Sequence, residues 1–293
     1  MKLKKLIPAR FRGGDITIPV VRLSGMIAPP SGGFRQNLSL ATVAGPLKKA
    51  FEMKKAPVVA LSVNSPGGSP VQSRLIYQRI RELAEKHKKR VLVFVEDVAA
   101  SGGYMIAIAG DEIIADETSI VGSIGVVSAG FGFTQAIEKI GVERRVYTSG
   151  KNKSMLDPFK PEKKADIDHL KSLQAEIHTV FIDMVKQARG AQLAENDELF
   201  TGMFWTGAQA KEMGLIDTCG LMGEVIRERY GDKAELQLVQ AKRGLFGRQQ
   251  PGIGNISTSN GFAGEFGAGM AAGLPAALME TMEERSLWSR FGL

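Results

Sequence analysis

Two short apolar runs, each followed by a paired-glycine turn and a helical stretch, constrain the fold of this chain more than any other feature. The runs cover residues 58–63 and 91–95, and helical spacing of apolar residues follows at 69–87 and 101–109. A continuous apolar run that precedes a helix is typical of a strand buried on both faces of a parallel sheet. The sequence therefore predicts an α/β fold with a mostly parallel sheet and flanking helices.

The rest of the chain continues this alternation. Helical patterns are found at 38–53, 134–140, 161–189, 206–213 and 222–230, and strand-like patterns at 16–23, 112–115, 124–127, 143–147 and 234–239. These patterns predict one domain over 15–242. A basic segment, 1–14, precedes it, and a glycine-rich linker and tail follow at 243–293, with helical character at 274–291.

The charge of the chain bears on its partners. The net charge of +7 comes from lysines and arginines spread along the sequence, without the aromatic interleaving of single-strand nucleic-acid binders. We therefore expect no nucleic-acid partner. Two short basic clusters favour weak contact with an acidic membrane surface: Lys2, Lys4, Lys5, Arg10 and Arg12, and Lys86, Lys88, Lys89 and Arg90.

Neither a signal peptide nor a membrane-spanning helix is predicted. Leu6 and Ile7 are followed at once by Pro8, so no apolar core of a signal peptide forms. The most apolar stretch, 262–279, contains Glu265 and Pro275 and is predicted to be a flexible or surface-lying tail. We expect a cytoplasmic protein, with peripheral contact at the inner face of the membrane left open.

No cofactor is predicted. The single cysteine, Cys219, excludes an intramolecular disulfide and a metal site built from cysteines. The first glycine turn, 64–69, lacks the Gly-Lys-Ser/Thr ending of a nucleotide-binding P-loop. We therefore expect neither a metal nor a nucleotide.

Each of the two glycine turns could stabilise an oxyanion. Gly67 and Gly68 in the first turn, and Gly102 in the second, allow close approach of a substrate to amides at a helix start. Ser101 precedes Gly102 and is flanked by small residues, as an exposed nucleophile on a tight strand-to-helix turn requires. A helix-capping serine would show the same local pattern, but two such turns would meet at one edge of a parallel sheet, where ligands bind.

A serine nucleophile needs a general base. The three histidines, His87, His169 and His178, lie in predicted helices and not in a glycine turn or at a strand end. We expect them to be surface or structural residues. A lysine is the alternative base, provided that removal of water keeps its amine neutral.

Four ordered motifs resemble the signal peptide peptidase A family, including its SohB-like members, which have the Clp-protease/crotonase fold. They are Asn64-Ser65-Pro66-Gly67-Gly68, Ala100-Ser101-Gly102-Gly103-Tyr104, Gly122-Ser123-Ile124-Gly125-Val126 and Ser149-Gly150-Lys151-Asn152-Lys153. The resemblance covers about 16–239 and implies a serine–lysine dyad.

The resemblance also assigns roles to single residues. It implies Ser101 as the nucleophile and Lys153 as the base, because the family's lysine stands three residues after the glycine; Lys151 is the competing candidate. Ser123 is expected to orient the lysine amine, or else to be an ordinary turn serine. Gly102, with Gly68 or Gly67, is expected to form the oxyanion hole.

The implied activity is hydrolysis of peptide bonds in signal-peptide remnants or other membrane-derived or unfolded peptides. The motifs occur once, so the chain resembles the half-length type, which assembles into homo-oligomeric rings where neighbours can complete each site. Two alternatives remain open: a crotonase-type enzyme acting on acyl-CoA, and a non-catalytic scaffold of the same fold.

Overall fold

The computed structural model describes residues 16–30, 37–240, 282 and 284–293. A central sheet is built from eight strands of these residues. In chain order they are β1 (Thr17–Ser24), β2 (Val58–Ser65), β3 (Arg90–Ala100), β4 (Glu112–Ala115), β5 (Ile120–Gly122), β6 (Phe204–Thr206), β7 (Thr218–Cys219) and β8 (Glu235–Leu238).

The strand order is β6-β5-β3-β2-β1-β8, with β4 beside the first half of β3 and β7 beside β4. Every pairing is parallel except that of β5 with β6. Parallel neighbours need crossover connections, and helices supply them: α1 (Leu40–Phe51), α2 (Pro70–His87), α3 (Gly102–Ala107), α4 (Thr134–Lys139), α5 (Lys164–Arg189), α6 (Gly207–Glu212) and α7 (Met222–Tyr230). The predicted α/β class, with a mostly parallel sheet and flanking helices, is confirmed.

Both faces of the sheet are covered, which explains the uninterrupted apolar runs. All eight residues of β2 are buried. The larger cluster joins one face of β1, β2 and β3 to α1, α2, α3 and α5, while a smaller cluster joins the other face to α7. Burial on both sides fixes the carboxyl ends of β2 and β3, which carry the two glycine turns.

Helix α5 is anchored in the core at its carboxyl end. Phe181, Met184, Val185 and Arg189 are buried there, whereas most of the first half of the helix is exposed. The Arg189 guanidinium donates to the carbonyl of Gly214 at 2.8 Å and to both carboxylate oxygens of Asp217 at 2.9 and 3.2 Å.

Two predicted strands are wrong. The strand expected at 124–127 lies instead at Ile120–Gly122, because Gly122 and Ser123 have φ angles of +115° and +53° and turn the chain away from the sheet. Residues 143–147 lie on the surface and pair with no strand of the described residues. The short strands β6 and β7 have no sequence pattern long enough to predict them.

The described part of the tail packs against the sheet. Phe291 is buried against Val98 and Ala100 of β3, and its ring contacts the Phe204 ring edge-on at 5.0 Å. Residues 1–14 and most of 243–293 lie outside the described residues, so the predicted domain limits stay predictions. Among the described helices, none is both long and apolar enough to cross a membrane.

Candidate active site

Ser101 occupies a strained turn between β3 and α3. Its φ and ψ angles are +52° and −121°, a conformation that costs energy for any residue with a Cβ and that is concentrated at functional sites. The Ser101 amide donates to the Gly122 carbonyl at 2.8 Å, and its carbonyl accepts from Met105 at 3.0 Å. Because both backbone groups are held, the side chain points out of a sharp strand-to-helix turn, as in a nucleophile elbow. Ser101 is half-buried, and its hydroxyl caps no amide of α3.

The first glycine turn lies directly against this serine. A methyl group at Gly67 would come within 2.8 Å of Ser101 Cβ and 2.9 Å of the Gly102 nitrogen. A methyl group at Gly68 would overlap the Ile27 carbonyl oxygen, and the φ angle of Gly68 is +136°. Only glycine allows the two turns to approach this closely.

The amides of the two turns differ in what they bind. The Gly67 amide donates to Ser65 Oγ at 3.2 Å. The amides of Gly68 and Gly102 have no hydrogen-bond acceptor within the described residues. A methyl group at Gly102 would lie 3.4 Å from the Gly68 nitrogen, so these two free amides are close neighbours beside Ser101. Two free donors next to a nucleophile can stabilise a developing oxyanion.

Ser123 follows β5 on the other side of the nucleophile turn. It is 5% exposed, has a φ angle of +53°, and its amide donates to the Met203 carbonyl at 2.7 Å. The preceding Gly122 holds the Ser101 amide. The structure therefore places Ser123 next to the segment that fixes Ser101, but no lysine of the described residues bonds to its hydroxyl.

The lysines lie apart from this cluster. Lys151 and Lys153 are both exposed, in a turn in which the Lys153 amide donates to the Gly150 carbonyl at 3.2 Å. Neither side chain forms a hydrogen bond with Ser101 or Ser123 within the described part of one chain. Within the described residues, the two lysines of the implied dyad are therefore known by their exposure and not by a contact with Ser101.

The histidines do not take the place of a lysine beside Ser101 in the described residues. His178 Nε2 lies 3.1 Å from the Ile124 carbonyl oxygen, and His87 packs its ring at 6.4 Å from the Phe51 ring. His169 is exposed. No histidine forms a hydrogen bond with Ser101 in the described residues, in keeping with the surface or structural roles expected for them.

Tyr104 of the second motif is structural. It is fully buried and donates its hydroxyl proton to the Leu215 carbonyl at 2.8 Å. Burial raises the pKa of Tyr104 far above its usual value, so the phenol stays neutral. It ties α3, which begins beside the nucleophile, to the segment after α6.

Comparison with known proteins places the chain in a family. The sequence pattern of peptidase family S49 matches residues 83–236, which is more than half of the chain. The chain belongs to peptidase family S49. This S49 chain is 31% identical to a Synechocystis protein described as a candidate protease, over 72% of this chain and 77% of that one. It is 34% identical to the chloroplastic serine protease SPPA of Arabidopsis thaliana, over 73% of this chain and 32% of that one.

A more similar relative carries a different name. The S49 chain is 60% identical, over 99% of its length, to a Brucella abortus protein named Na⁺/H⁺ antiporter NhaA. The chain spans only 39% of that protein's length, so most of the Brucella protein lies outside the match. Among solved structures, a mutant of the 1510-N membrane-bound stomatin-specific protease superposes with a TM-score of 0.47 at 15% identity, covering 78% of this chain and 100% of that one.

Family membership confirms the resemblance seen in the four motifs. Sequence reasoning nevertheless missed two residues of the first motif. Ser65 is fully buried, and its hydroxyl donates to the Gly25 carbonyl at 2.7 Å while accepting from Gly67. Asn64 is also buried and bridges β2 to β3. Their only signal is that polar residues end an otherwise apolar strand.

Proposed function

We propose that the protein is a serine endopeptidase in which Ser101 is the nucleophile and Lys153 the general base. The observation that carries the proposal is the strained Ser101 turn with two free amides beside it. The φ angle of +52° is unfavourable for serine and would not be kept for a helix cap, which adopts an extended backbone without strain.

The proposed reaction is acyl transfer. The neutral Lys153 amine accepts the Ser101 hydroxyl proton as Oγ bonds to the carbonyl carbon of the scissile peptide, and the carbonyl electron pair moves to oxygen. The amides of Gly68 and Gly102 donate to this oxyanion. Gly67 is excluded from the pair because Ser65 already binds its amide.

The two later steps reuse the same groups. When the carbonyl re-forms, the bond to nitrogen breaks and the lysine ammonium returns its proton to the leaving amine. Lys153 then takes a proton from water, whose oxygen attacks the acyl-enzyme ester. The acid product leaves and Ser101 regains its hydroxyl.

We infer that a second copy of the chain completes the site. Support comes from the exposed position of Lys153 and from large apolar side chains that face solvent in the surrounding segment, 127–156. They are Val127, Phe131, Phe133, Ile140, Val142, Tyr147 and Leu156, with exposed fractions from 40% to 91%. Contact with a neighbouring copy would bury these side chains and strip water from the lysine, which leaves its amine neutral. This arrangement agrees with the homo-oligomeric ring implied by the motifs.

The proposed substrates are membrane-derived or unfolded peptides, such as signal-peptide remnants. One relative is described as a candidate signal peptide peptidase. An extended apolar peptide should be cleaved much faster than a folded protein. Equal cleavage of both would contradict this substrate class.

Peripheral membrane contact is proposed from the basic cluster that follows α2. Lys86, Lys88 and Arg90 lie at the carboxyl end of that helix or just beyond it, and all three are exposed. Sedimentation with vesicles containing anionic lipid should exceed sedimentation with neutral vesicles and should fall as salt is added. Equal sedimentation with both vesicle types would overturn the contact.

A fluorophosphonate probe tests the catalytic proposal. The full-length protein should be labelled at Ser101, Ser101→Ala should not react, and Lys153→Ala should react at least about 10³-fold more slowly. Lys151→Ala is the matched control and should stay within a few-fold of the wild type. If Lys151→Ala fails and Lys153→Ala reacts, the base assignment is wrong. Turnover of acyl-CoA without labelling would favour the crotonase-type reaction, and a folded, unreactive oligomer would favour a scaffold.

A further inference from the structure

Strand β3 departs from β2 just before it reaches Ser101. Val63 pairs with Val95, but the next pair is Ser65 with Ala99, so β3 holds three residues opposite the single Asn64 of β2. Such a bulge leaves backbone groups unpaired and re-aims the strand that follows. The end of β3 therefore needs other contacts to hold it in place.

The Asn64 side chain bridges this gap. Its Oδ1 accepts from the Val98 amide at 3.2 Å, and its Nδ2 donates to the Asp97 carboxylate at 2.5 Å. Because a backbone amide can only donate, the Val98 contact fixes Oδ1 as the atom of the side-chain amide that faces Val98. Asn64 is 7% exposed and Val98 is fully buried, so loss of this bond would leave a buried amide unpaired.

The bridge lies at the common base of the two catalytic turns. Ser101 follows Val98 by three residues, and the Gly67–Gly68 pair follows Asn64 by three and four. The Asn64 carbonyl also accepts from the Gly25 amide at 2.9 Å, which holds the start of the first turn from the β1 side. A shift of Asn64 would therefore change the position of the nucleophile relative to the oxyanion donors.

We propose that Asn64 and Asp97 are a positioning pair that sets Ser101 against the free amides of Gly68 and Gly102. The proposal rests on the proposed function in taking Ser101 as the nucleophile. Asp97 acts through Asn64: its carboxylate holds the side-chain amide so that Oδ1 faces Val98. Neither residue touches the substrate.

A reciprocal exchange tests the pair. Asn64→Ala should lower kcat, or the rate of probe labelling at Ser101, by about 10- to 100-fold with KM within about threefold of the wild type, because reacting atoms are misplaced while the groove remains. Asn64→Asp should be equally impaired, since two carboxylates would face each other. Asp97→Asn should remain within about threefold, because its side-chain oxygen can still accept from Asn64.

The double variant Asn64→Asp/Asp97→Asn is the decisive one. The carboxylate is then on β2, where it can accept both from the Val98 amide and from the new side-chain amide on β3. Both bonds of the bridge can form again, with donor and acceptor exchanged only in the bond between the two side chains, so labelling should recover to within about threefold of the wild type. The exchange separates a paired contact from general damage to the fold. A double variant that labels no faster than Asn64→Asp overturns the pair.

A matched control comes from the same two strands. Ser62 Oγ donates to the Glu96 carboxylate at 2.6 Å, but it satisfies no backbone amide, and Glu96 keeps its contact with Arg22 at 2.7 Å. Ser62→Ala should therefore label within about threefold of the wild type. If Ser62→Ala lowered the labelling rate as much as Asn64→Ala does, loss of any side-chain hydrogen bond between β2 and β3 would impair the site. The pair would then have no specific role.

Amide hydrogen exchange separates this proposal from the proposed function. Without any substrate, residues 97–104 should exchange faster in Asn64→Ala and Asn64→Asp than in the wild type, and the double variant should restore protection. If exchange follows this pattern while the wild type labels with no probe, the bridge stands and the proposed function fails. If exchange is unchanged in all variants, the bridge does not hold the end of β3.

Discussion

The two halves of the proposed dyad lie in regions that differ in almost every physical respect. The nucleophile turn is enclosed by the core, and backbone hydrogen bonds to Gly122 and Met105 hold Ser101. The lysine segment, 127–160, is mostly exposed, and Lys153 is held there by a single local turn bond. The nucleophile turn is packed within a single chain, whereas the lysine segment exposes the apolar side chains that the proposed interface would bury.

Helix α5 joins the two regions and shows where the difference begins. Its carboxyl end is fixed in the core by Phe181, Val185 and the Arg189–Asp217 ion pair. Its amino end, which follows the lysine segment, is exposed. The core therefore fixes the position of Ser101. On the lysine side it fixes only the carboxyl end of α5, the helix that follows the lysine segment.

The largest expected effect comes from mixing two inactive variants. Ser101→Ala and Lys153→Ala should each lose at least about 10³-fold of the labelling or peptidase rate. If a neighbour supplies the lysine, co-assembly of equal amounts should restore about a quarter of wild-type peptidase activity, the share of interfaces that combine an intact serine with an intact lysine. A mixture as inactive as its components would show that both groups come from one chain.

A buried anchor and an exposed ion pair should respond very differently to the same substitution. Arg189→Met removes one partner of the buried pair and should lower the free energy of unfolding by about 3–5 kcal/mol, measured by urea denaturation. Arg145→Met, which breaks the exposed contact with Glu143 in the lysine segment, should leave unfolding unchanged. Equal losses of unfolding free energy in the two variants would contradict the contrast between the buried end of α5 and the exposed lysine segment.

Loss of the Tyr104 hydroxyl should affect stability more than catalysis. Tyr104→Phe leaves the Leu215 carbonyl without its donor and should cost about 1 kcal/mol of unfolding free energy. Since burial raises the pKa of Tyr104, the stabilisation is complete below the ordinary tyrosine pKa and is lost only as the pH rises through the higher folded value. As the pH is raised from neutral to alkaline, Tyr104→Phe should therefore lose less unfolding free energy than the wild type does. A tenfold fall in labelling rate would place Tyr104 in the chemistry instead.

The smallest expected effect on folding is at an exposed aromatic side chain. Phe131 is 79% exposed, so Phe131→Ala should change the free energy of unfolding of the isolated chain by less than about 0.5 kcal/mol. The same variant should weaken oligomer formation in sedimentation velocity, because the lost surface belongs to the proposed interface. Phe181→Ala, at a site that is 2% exposed, should instead cost about 3–5 kcal/mol. An unchanged oligomer would argue against an interface at Phe131.

Most elements could be predicted from apolar spacing, and one of the two wrongly predicted strands shows where local pattern fails. The strands at 58–65 and 90–100 have buried apolar runs, and helix α7 was placed at 222–230 as found. Residues 143–147 have strand-forming composition but no neighbouring strand in the described residues, and a strand needs a partner for its backbone groups. Pairing is a tertiary property, so local composition alone misplaced this segment.

The four ordered motifs were enough to identify the family. Apolar spacing and glycine positions predicted the α/β class and two turns that meet around Ser101, because side-chain size and apolar spacing act locally. The tertiary structure decided which amides remain free: Gly67 is engaged by Ser65, and Gly68 and Gly102 are not. It also leaves Lys153 exposed while Ser101 is half-buried. Hydrogen-bond partners and burial depend on contacts between segments distant in sequence, and motif spacing carries no information about those contacts.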